Sequence, residues 1–285
     1  MRFFNMLFKG EKLMKKIAFI GAGSMAEAIV SGIINKEFMK SEQIWVTNKD
    51  NQARLDEMKE KYGISISQDK KEVLSEANII VLSTKPHDIK SAIKSLLPYL
   101  TKDQLIMSVV AGISTTQITQ LTNQNTPVIR AMPNTSASIG YSATAISQGE
   151  FATTNDLQIA KQLFEAIGTV NVVEEKDMHI VTAISGSGPA YLYYLTEAME
   201  EAAIQEGLDA KTAKELITQT IIGAGNMLKT SELPVNVLRE NVTSPQGTTE
   251  AGLKALEKNN FKEALIACVE SATNRSKELG KKEDK

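Results

Sequence analysis

The sequence predicts an α/β fold in which a doubly wound parallel sheet in the N-terminal half is followed by an all-helical C-terminal half. Up to about residue 173, short apolar runs typical of buried strands alternate with amphipathic helical patterns. After about residue 175, the strand patterns stop and long helical patterns follow. The length of 285 residues favours two domains over one small module.

The strands are predicted from apolar runs that are too short for helices. The runs are rich in Ile, Val and Leu, as expected for strands covered on both faces. They lie at residues 17–20, 44–46, 79–82, 105–110, 128–132, 144–146 and 170–173. Amphipathic stretches between them predict crossover helices, among them residues 25–34, 89–97 and 156–167.

The C-terminal half is predicted to contain helices only. Helical patterns cover residues 191–205, 210–228, 248–257 and 262–277. Gly223 and Gly225 lie inside the second pattern, where each glycine costs about 1 kcal/mol relative to alanine unless a close contact compensates. We therefore expect a tight helix crossing within or between subunits.

The predicted organisation has two folded domains, at residues 14–175 and 176–280. Residues 1–13 are expected to be a non-native or disordered extension, with translation starting at Met14. Residues 281–285 are expected to form a frayed charged tail.

Charge and cysteine content exclude several classes of protein. Lys and Arg total 32 against 34 Asp and Glu, so no overall basic surface exists for nucleic acid or an anionic membrane, and a small-molecule partner is expected. Cys268 is the single cysteine, which excludes an intrachain disulfide and indicates a reducing, cytoplasmic compartment. His87 and His179 are the only histidines and have no obvious companion ligands, so no metal site is predicted. Both are interpreted as surface or capping residues.

A glycine-rich segment at residues 21–26 follows the first strand and opens a helix, in the pattern G-x-G-x-x-A. Gly21 would make the tight turn, Gly23 would let the backbone approach a pyrophosphate, and Ala26 would keep helix and strand close. Helical N–H groups would then face the phosphates. This context predicts a Rossmann-like dinucleotide site. The predicted cofactor-binding residues of this segment are Gly21, Ala22, Gly23, Ser24 and Met25.

The end of the second strand favours one nicotinamide cofactor over the other. An NAD site usually presents Asp or Glu there to the ribose 2′-hydroxyl. This chain has Thr47, Asn48 and Lys49, and a hydroxyl, an amide and a cation suit a 2′-phosphate better. We therefore predict NADPH, with Asn48 and Lys49 as ligands. Asp50 close by keeps NADH as an alternative, and Lys49 as an ordinary solvated lysine is the competing interpretation.

Two further strand ends carry polar residues, and the carboxyl ends of strands line the ligand crevice in such sheets. The run 79–82 is followed by four residues that are predicted to bind the cofactor. Lys85 would reach the cofactor or the substrate, and the alternative is that Lys85 lies on the surface. The four residues are Ser83, Thr84, Lys85 and Pro86. The run 128–132 contains Arg130 and is followed by Asn134, which is either a polar neighbour of the site or a turn former.

Two segments of the helical half also point to a ligand. The sequence Ser-Gly-Ser-Gly-Pro at residues 185–189 interrupts a helical pattern, which indicates close approach of a ligand or a neighbouring helix. The segment 243–249, Thr-Ser-Pro-Gln-Gly-Thr-Thr, precedes a helix whose free N–H groups predict an anion site. The alternative, in which Ser244 or Thr248 caps the helix, explains only one of the hydroxyls.

Together, these segments resemble the Δ1-pyrroline-5-carboxylate reductase family over residues 14–279. The segments 185–191 and 243–249 are more specific to the family than the glycine-rich turn. The resemblance implies NAD(P)H-dependent reduction of a cyclic imine to L-proline, the last step of proline biosynthesis. It also implies a helical dimerisation domain, a homodimer and often a ring of dimers.

The resemblance implies roles for individual residues, and hydride transfer needs neither a nucleophile nor a metal. The substrate carboxylate would bind N–H groups around Gly247, Thr248 and Thr249, and Thr249 would hydrogen-bond the ring nitrogen. Ser244 would be a second hydroxyl contact. Ser187 and Gly188 would lie close to nicotinamide and substrate, and Lys85 beside the cofactor. One subunit's cofactor would face the partner's substrate loop.

Three residues depart from the family pattern: Gln246 replaces a usual Gly, Ser136 a frequent Pro, and His179 a common Asp. Gln246 matters most because it lies in the anion loop and would be strained if that position has a positive φ. Two alternatives to the predicted activity therefore stay open. One is a related NADP-dependent reductase of another cyclic imine or a β-hydroxy acid, and the other is a non-catalytic NADP-binding regulatory paralogue.

Overall fold

The computed structural model describes residues 15–282, so the expectations for residues 1–13 and for the last residues of the tail lie outside the described residues. The chain divides into two compact units. The first unit comprises the chain up to Ser187 together with the segment from Ala272 onward, and the second comprises Gly188–Ser271. The domain boundary expected at residue 175 stays a prediction.

The first unit is built on one eight-stranded sheet with the order β3-β2-β1-β4-β5-β6-β7-β8. All neighbouring pairs are parallel except β6 and β7, which are antiparallel. The strands are β1 (Ile17–Ile20), β2 (Ile44–Thr47), β3 (Ser65–Ile66), β4 (Ile79–Leu82), β5 (Leu105–Ser108), β6 (Val128–Met132), β7 (Ser142–Gln148) and β8 (Gly168–Val172).

Helices of the first unit alternate with these strands. They are α1 (Ser24–Asn35), α2 (Gln52–Tyr62), α3 (Lys70–Leu74), α4 (Ile89–Leu96), α5 (Thr115–Thr122), α6 (Thr154–Glu165) and α7 (Met178–Val181). Hydrophobic cores lie on both faces of the sheet: Ile17 and Phe19 of β1 join one core, and Ala18 and Ile20 join the other. This alternation explains why β1 has no polar residue. The predicted α/β fold is confirmed.

Within its described residues, the second unit consists of helices joined by loops and has no strand, as the sequence predicts. Its helices are α8 (Gly188–Gln205), α9 (Ala210–Thr230), α10 (Val235–Asn241), α11 (Thr248–Lys258) and the first part of α12 (Phe261–Lys282). Helices α8 and α9 pack against each other. Many large apolar side chains of this unit are exposed in the single chain. Among the described residues, no helix is long and apolar enough to cross a membrane.

The segment at residues 185–189 takes a different form from the simple interruption that the sequence indicates. Residues Thr182–Gly186 form a π-helical turn between α7 and α8. The Ser187 N–H donates to the Thr182 carbonyl at 2.9 Å, and the Ser185 hydroxyl donates to the Val181 carbonyl at 3.1 Å. Single π turns inside helices often occur at functional sites.

Candidate active site

The glycine-rich turn lies between the carboxyl ends of β1 and β4. Gly21 has φ +115°, and a Cβ there would lie 2.6 Å from the Ser83 carbonyl oxygen, so the position requires glycine. The Gly21 N–H donates to the Thr47 carbonyl at 2.8 Å. Gly23 differs, because a Cβ there would meet nothing within 4 Å. The backbone therefore packs closely against Ser83 at Gly21, and it has free space beside it at Gly23. This free space fits the approach of a pyrophosphate.

The start of α1 presents unsatisfied N–H groups at this turn. Gly23 is the N-cap and has no side chain to cap the helix, while Ser24 is exposed. The first N–H groups of a helix have no intrahelical partner, and the helix dipole places partial positive charge there. The buried Ala26 holds the helix close to the sheet. The geometry supports the predicted phosphate-binding role of residues 21–25.

An ionic network that the sequence analysis missed holds the turn from behind. Arg54 of α2 donates from Nε to the Ala22 carbonyl at 3.0 Å, and its guanidinium pairs with Glu27 and Glu57. Lys61 and Tyr62 also donate to Glu27, each at 2.8 Å. Hydrogen bonds from Lys61 and Arg54 hold the pKa of Glu27 at about 2. The contacts to Ala22 and Glu27 join residues far apart in the chain, so no local motif indicates them.

At the end of β2, the predicted cofactor ligands have different surroundings. The Asn48 carboxamide oxygen accepts from the Asn51 N–H at 3.0 Å, so its side chain shapes the turn into α2. Lys49 is exposed. A residue that the sequence analysis did not select, Lys70, donates from Nζ to the Thr47 hydroxyl at 2.9 Å and to the Asn48 carbonyl at 3.1 Å. Among the described residues, no acidic side chain takes part in these contacts at the end of β2.

At the end of β4, Ser83 and Thr84 face the protein more than Lys85 does. The Ser83 hydroxyl lies 3.1 Å from the Gly21 carbonyl and 3.2 Å from the Ile20 carbonyl, so it fixes the glycine-rich turn. The Thr84 hydroxyl is buried and has no hydrogen-bond partner in the described part of the chain. Lys85 is exposed, and Pro86 begins a short 3₁₀ turn. The cofactor roles of these four residues stay predictions.

Asn134 joins two of the predicted motifs. Its carboxamide donates from Nδ2 to the Ser185 carbonyl at 3.1 Å, and its Oδ1 accepts from the Ser136 N–H at 3.1 Å. Asn134 therefore caps the turn after β6 and also holds the π-helical turn. A Cβ at Gly186 would lie 3.5 Å from Met132 Sδ, so strand β6 also lies beside this turn.

Arg130 and His179 form a second polar cluster near these motifs. Arg130 is buried and pairs with Glu175 at 2.7 Å, while its Nε and Nη2 atoms have no hydrogen-bond partner among the described residues. His179 is half-buried, and its Nδ1 lies 2.9 Å from the Ser276 hydroxyl, so it links α7 to α12 instead of capping a helix. Burial lowers the pKa of His179, and the positive charges of Arg130 and Lys277 lower it further.

In the second unit, the segment 243–249 leads into α11. Gly247 is the N-cap of the helix and makes no side-chain cap, so Ser244 and Thr248 do not act as the helix cap. The hydroxyls of Ser244, Thr248 and Thr249 have no hydrogen-bond partner in the described residues, and all three side chains belong to exposed residues. Free N–H groups and free hydroxyls thus occur together at the start of an 11-residue helix.

Gln246, which stands where the family resemblance implies a glycine, has a backbone conformation that favours glycine. Gln246 has φ +61°, in the left-handed region that disfavours residues with a Cβ. Its N–H donates to Glu250 Oε2 at 2.9 Å, and Glu250 also pairs with Lys254 at 3.2 Å. The strain predicted for Gln246 is therefore present, and the Glu250 carboxylate in the first turn is held by two partners.

The sheet order and the glycine-rich turn define a dinucleotide-binding protein with a Rossmann-like first unit and a helical second unit. Within residues 15–282, no cluster of three or more His, Cys, Asp or Glu side chains could hold a metal ion.

Comparison with known proteins identifies the family. The family model "Pyrroline-5-carboxylate reductase dimerisation" matches residues 175–279, and "NADP oxidoreductase coenzyme F420-dependent" matches residues 16–112. Pyrroline-5-carboxylate reductase 2 of Bacillus subtilis is 49% identical over 266 residues, covering 93% of this chain and 95% of the relative. The chain belongs to the pyrroline-5-carboxylate reductase family, which confirms the predicted family and enzyme class.

Solved structures agree with this assignment. A pyrroline-5-carboxylate reductase from Coxiella burnetii superposes with a TM-score of 0.84 at 39% identity, covering 93% of this chain and 98% of that chain. The pyrroline carboxylate reductase of Plasmodium falciparum, solved with NADP bound, gives a TM-score of 0.85 at 31% identity, with coverage of 93% and 98%.

Proposed function

We propose that this chain reduces Δ1-pyrroline-5-carboxylate to L-proline, the last step of proline biosynthesis, with NADPH as the hydride donor. The observation that carries the proposal is the 49% identity to a pyrroline-5-carboxylate reductase over 93% of the chain. The glycine-rich turn, open at Gly23, fits a dinucleotide. At the end of β2, Lys70 contacts Thr47 and Asn48, and these polar and cationic groups suit a 2′-phosphate and support NADPH over NADH.

The first unit would bind and orient the cofactor. The N–H groups at Ser24 and Met25 would bind the pyrophosphate, with Gly23 leaving room for it. Lys85, exposed at the end of β4, would lie beside the cofactor. Ser187, half-buried after the π-helical turn, and Gly188, the first residue of α8, would lie close to nicotinamide and substrate.

The loop before α11 would orient the substrate. Backbone N–H groups of Thr248 and Thr249 would bind the substrate carboxylate, because the first turn of α11 leaves these two donors free. The Gly247 N–H donates to the Ser244 carbonyl at 3.0 Å, so it would have to exchange that bond to join them. The Thr249 hydroxyl would hydrogen-bond the ring nitrogen, with Ser244 as a second hydroxyl contact. Bound NADPH would supply the hydride for C5 of the imine, and the residues of this loop would hold C5 toward it. Two fixed points on the substrate decide which carbon meets the hydride.

Assembly and location are part of the proposal. The match of residues 175–279 to a dimerisation model supports a homo-oligomer. We propose a homodimer, with a ring of dimers as the larger assembly. Exposed apolar residues on the helices of the second unit support the dimer. The single cysteine supports a cytoplasmic enzyme.

The direct test is proline formation from pyrroline-5-carboxylate with matched oxidation of NADPH. One proline formed for each NADPH consumed would support the proposal, and no turnover with NADPH or NADH would contradict it. A panel of other cyclic imines and β-hydroxy acids distinguishes a related reductase. Intact NADPH binding with no turnover of any substrate would indicate the regulatory paralogue instead.

A further inference from the structure

Lys70 is placed at the ribose end of the predicted cofactor site by the pairing of β2 with β3. The two strands run parallel, with Val46 opposite Ile66, so their carboxyl ends lie at the same edge of the sheet. The Ser67 N–H extends the pairing to the Val46 carbonyl at 3.3 Å. Asp69 then caps α3 by accepting from the Lys71 N–H at 2.9 Å, which makes Lys70 the first residue of that helix.

Among the described residues, the groups that hold the Lys70 amino group at the end of β2 are neutral. Its Nζ lies 2.9 Å from the Thr47 hydroxyl and 3.1 Å from the Asn48 carbonyl oxygen. In the described residues, no carboxylate lies within ion-pair distance of it, and the residue is half-buried. Burial lowers the pKa of Lys70, and Asp69 opposes that shift only in part. The ammonium group is therefore a partly desolvated cation with no ion-pair partner among residues 15–282.

The other basic side chains nearby differ from Lys70 in this respect. Arg54 is neutralised by Glu27 and Glu57 and is committed to the Ala22 carbonyl. Lys49 is exposed, so solvent stabilises its charge in every conformation and it gains less from a bound anion. A cationic side chain that is already held in place and only partly solvated gains the most binding free energy from an anion, because little conformational entropy of that side chain is lost on binding.

We infer that Lys70 binds the 2′-phosphate of NADPH and is the main determinant of preference for NADPH over NADH in this chain. The residue at the end of the second strand reads the 2′-position of the adenosine ribose in this fold. Lys70 brings its ammonium group to that position from the start of α3, which follows the neighbouring strand β3, and contacts Thr47 and Asn48 there. This inference rests on the cofactor assignment in the proposed function.

The test compares two nucleotides that differ only in the 2′-phosphate, adenosine 2′,5′-bisphosphate and adenosine 5′-monophosphate, by isothermal titration calorimetry. For Lys70→Met we expect Kd for the bisphosphate to rise about tenfold or more, as for a lost charge-assisted hydrogen bond, with Kd for the monophosphate unchanged within about twofold. NADPH and NADH should show the same contrast. The exposed neighbour Lys71 gives a matched control, because Lys71→Met removes the same charge and should change neither affinity. Lys70→Arg should keep the preference for the bisphosphate.

Three results would overturn the inference. An equal loss of affinity for both nucleotides in Lys70→Met would assign Lys70 a structural role. Unchanged affinity for both would show that Lys70 does not contact the nucleotide. Loss of the preference in Lys49→Met, but not in Lys70→Met, would assign the 2′-phosphate to Lys49. Because neither nucleotide reacts, a protein that makes no proline but keeps selective binding would contradict the proposed function and leave this inference standing.

Discussion

At the scale of single residues, Thr249 carries the most specific claim about the reaction. It is the second residue of α11 and is exposed, and its hydroxyl has no partner within the described chain. We predict that Thr249→Val keeps the fold and NADPH binding, since the side chains are nearly the same size and no hydrogen bond of the folded chain is lost. Loss of a hydrogen bond to the imine nitrogen should cost about 1.5–3 kcal/mol, or roughly ten- to a hundredfold in kcat/KM.

Thr248→Val is the matched control for this change. Its proposed contact to the substrate is the backbone N–H, which valine keeps, so kcat/KM should stay near that of the wild type. Measuring melting temperature and kcat/KM on each purified variant separates a catalytic role from a structural one. Wild-type kcat/KM in Thr249→Val would remove Thr249 from the site.

Gln246 lies in the loop proposed to bind the substrate carboxylate, and its backbone is strained. The strain is measured as protein stability, separately from activity. The φ of Gln246 is +61°, a conformation that glycine adopts without a Cβ clash. Gln246→Gly should therefore raise the free energy of unfolding by about 0.5–1 kcal/mol, because the relief of strain exceeds the entropy that glycine gains in the unfolded chain. Urea unfolding measures the change. Gln246→Ala keeps the Cβ and should give no gain, and an equal gain from alanine would contradict the strain argument.

Glu27 predicts an acid-dependent part of the stability. Its pKa is held at about 2 in the folded protein, below the ordinary value of 4.5, so its contribution is fully present above about pH 4.5 and is lost as the pH falls toward 2. We expect Glu27→Gln to lower the free energy of unfolding by about 1–2 kcal/mol at pH 7, allowing for partial screening by solvent. Denaturant unfolding at pH 7 and at pH 3.5 should show a smaller difference between variant and wild type at the lower pH. A difference independent of pH would contradict the assignment.

At the scale of elements, the end of α12 is fixed to the first unit by two glycines. A Cβ at Gly280 would lie 2.5 Å from the Gly112 carbonyl oxygen, and Gly112 itself has φ +83°. Gln117 donates to the Gly280 carbonyl at 2.9 Å. We predict that Gly280→Ala destabilises the protein by about 1–3 kcal/mol, because the close packing leaves no space for a methyl group.

Gln117→Ala removes only the hydrogen bond to the end of α12, so it should cost less than Gly280→Ala. Thermal unfolding gives the order of the two variants, and hydrogen exchange in the last turns of α12 locates the change. Gly280→Ala with unchanged stability and exchange would show that the helix end is not held by this contact.

The elements differ in how well the sequence predicts them, for physical reasons. Strands such as β1 and β4 are buried on both faces, so apolar runs mark their exact bounds. Strand β3 has two half-buried residues, Ser65 and Ile66, and gives no such pattern. For the π-helical turn, the sequence predicts only an interruption of the helix. Glycine and serine indicate that the backbone can leave the α-helical conformation, but they do not indicate which conformation it adopts.

The candidate site shows the same division between local and long-range information. The glycine-rich turn and the loop before α11 depend on residues that are adjacent in sequence, and both could be predicted. Arg54 and Lys70 contact the site across 32 and 23 residues of chain, so no spacing rule selects them. Their roles required the parallel pairing of β2 with β3 and the position of α2 beside the turn.

At the scale of the whole molecule, the second unit predicts an obligate homodimer. Large apolar side chains of α8 and α9 are exposed in the single chain, among them Leu192, Tyr193, Ile222, Met227 and Leu228. A Cβ at Gly223 or Gly225 would meet nothing within 4 Å, so no helix within residues 15–282 crosses there. The tight crossing expected at these glycines is then left to a partner subunit, whose apolar helices would cover the exposed side chains.

We therefore predict that sedimentation equilibrium gives twice the 31.1 kDa of the chain, or a multiple of that dimer. Ile222→Asp should shift the protein toward monomer and lower both the melting temperature and kcat/KM, because a carboxylate would be buried without a partner at the interface. The control is Asn125→Asp, which adds the same charge at an exposed position in the first unit and should leave assembly unchanged. Because stability then depends on association, the melting temperature of the wild type should rise with protein concentration. A fully active monomer would contradict the prediction, because activity would then not require a partner subunit to cover the apolar side chains of α8 and α9.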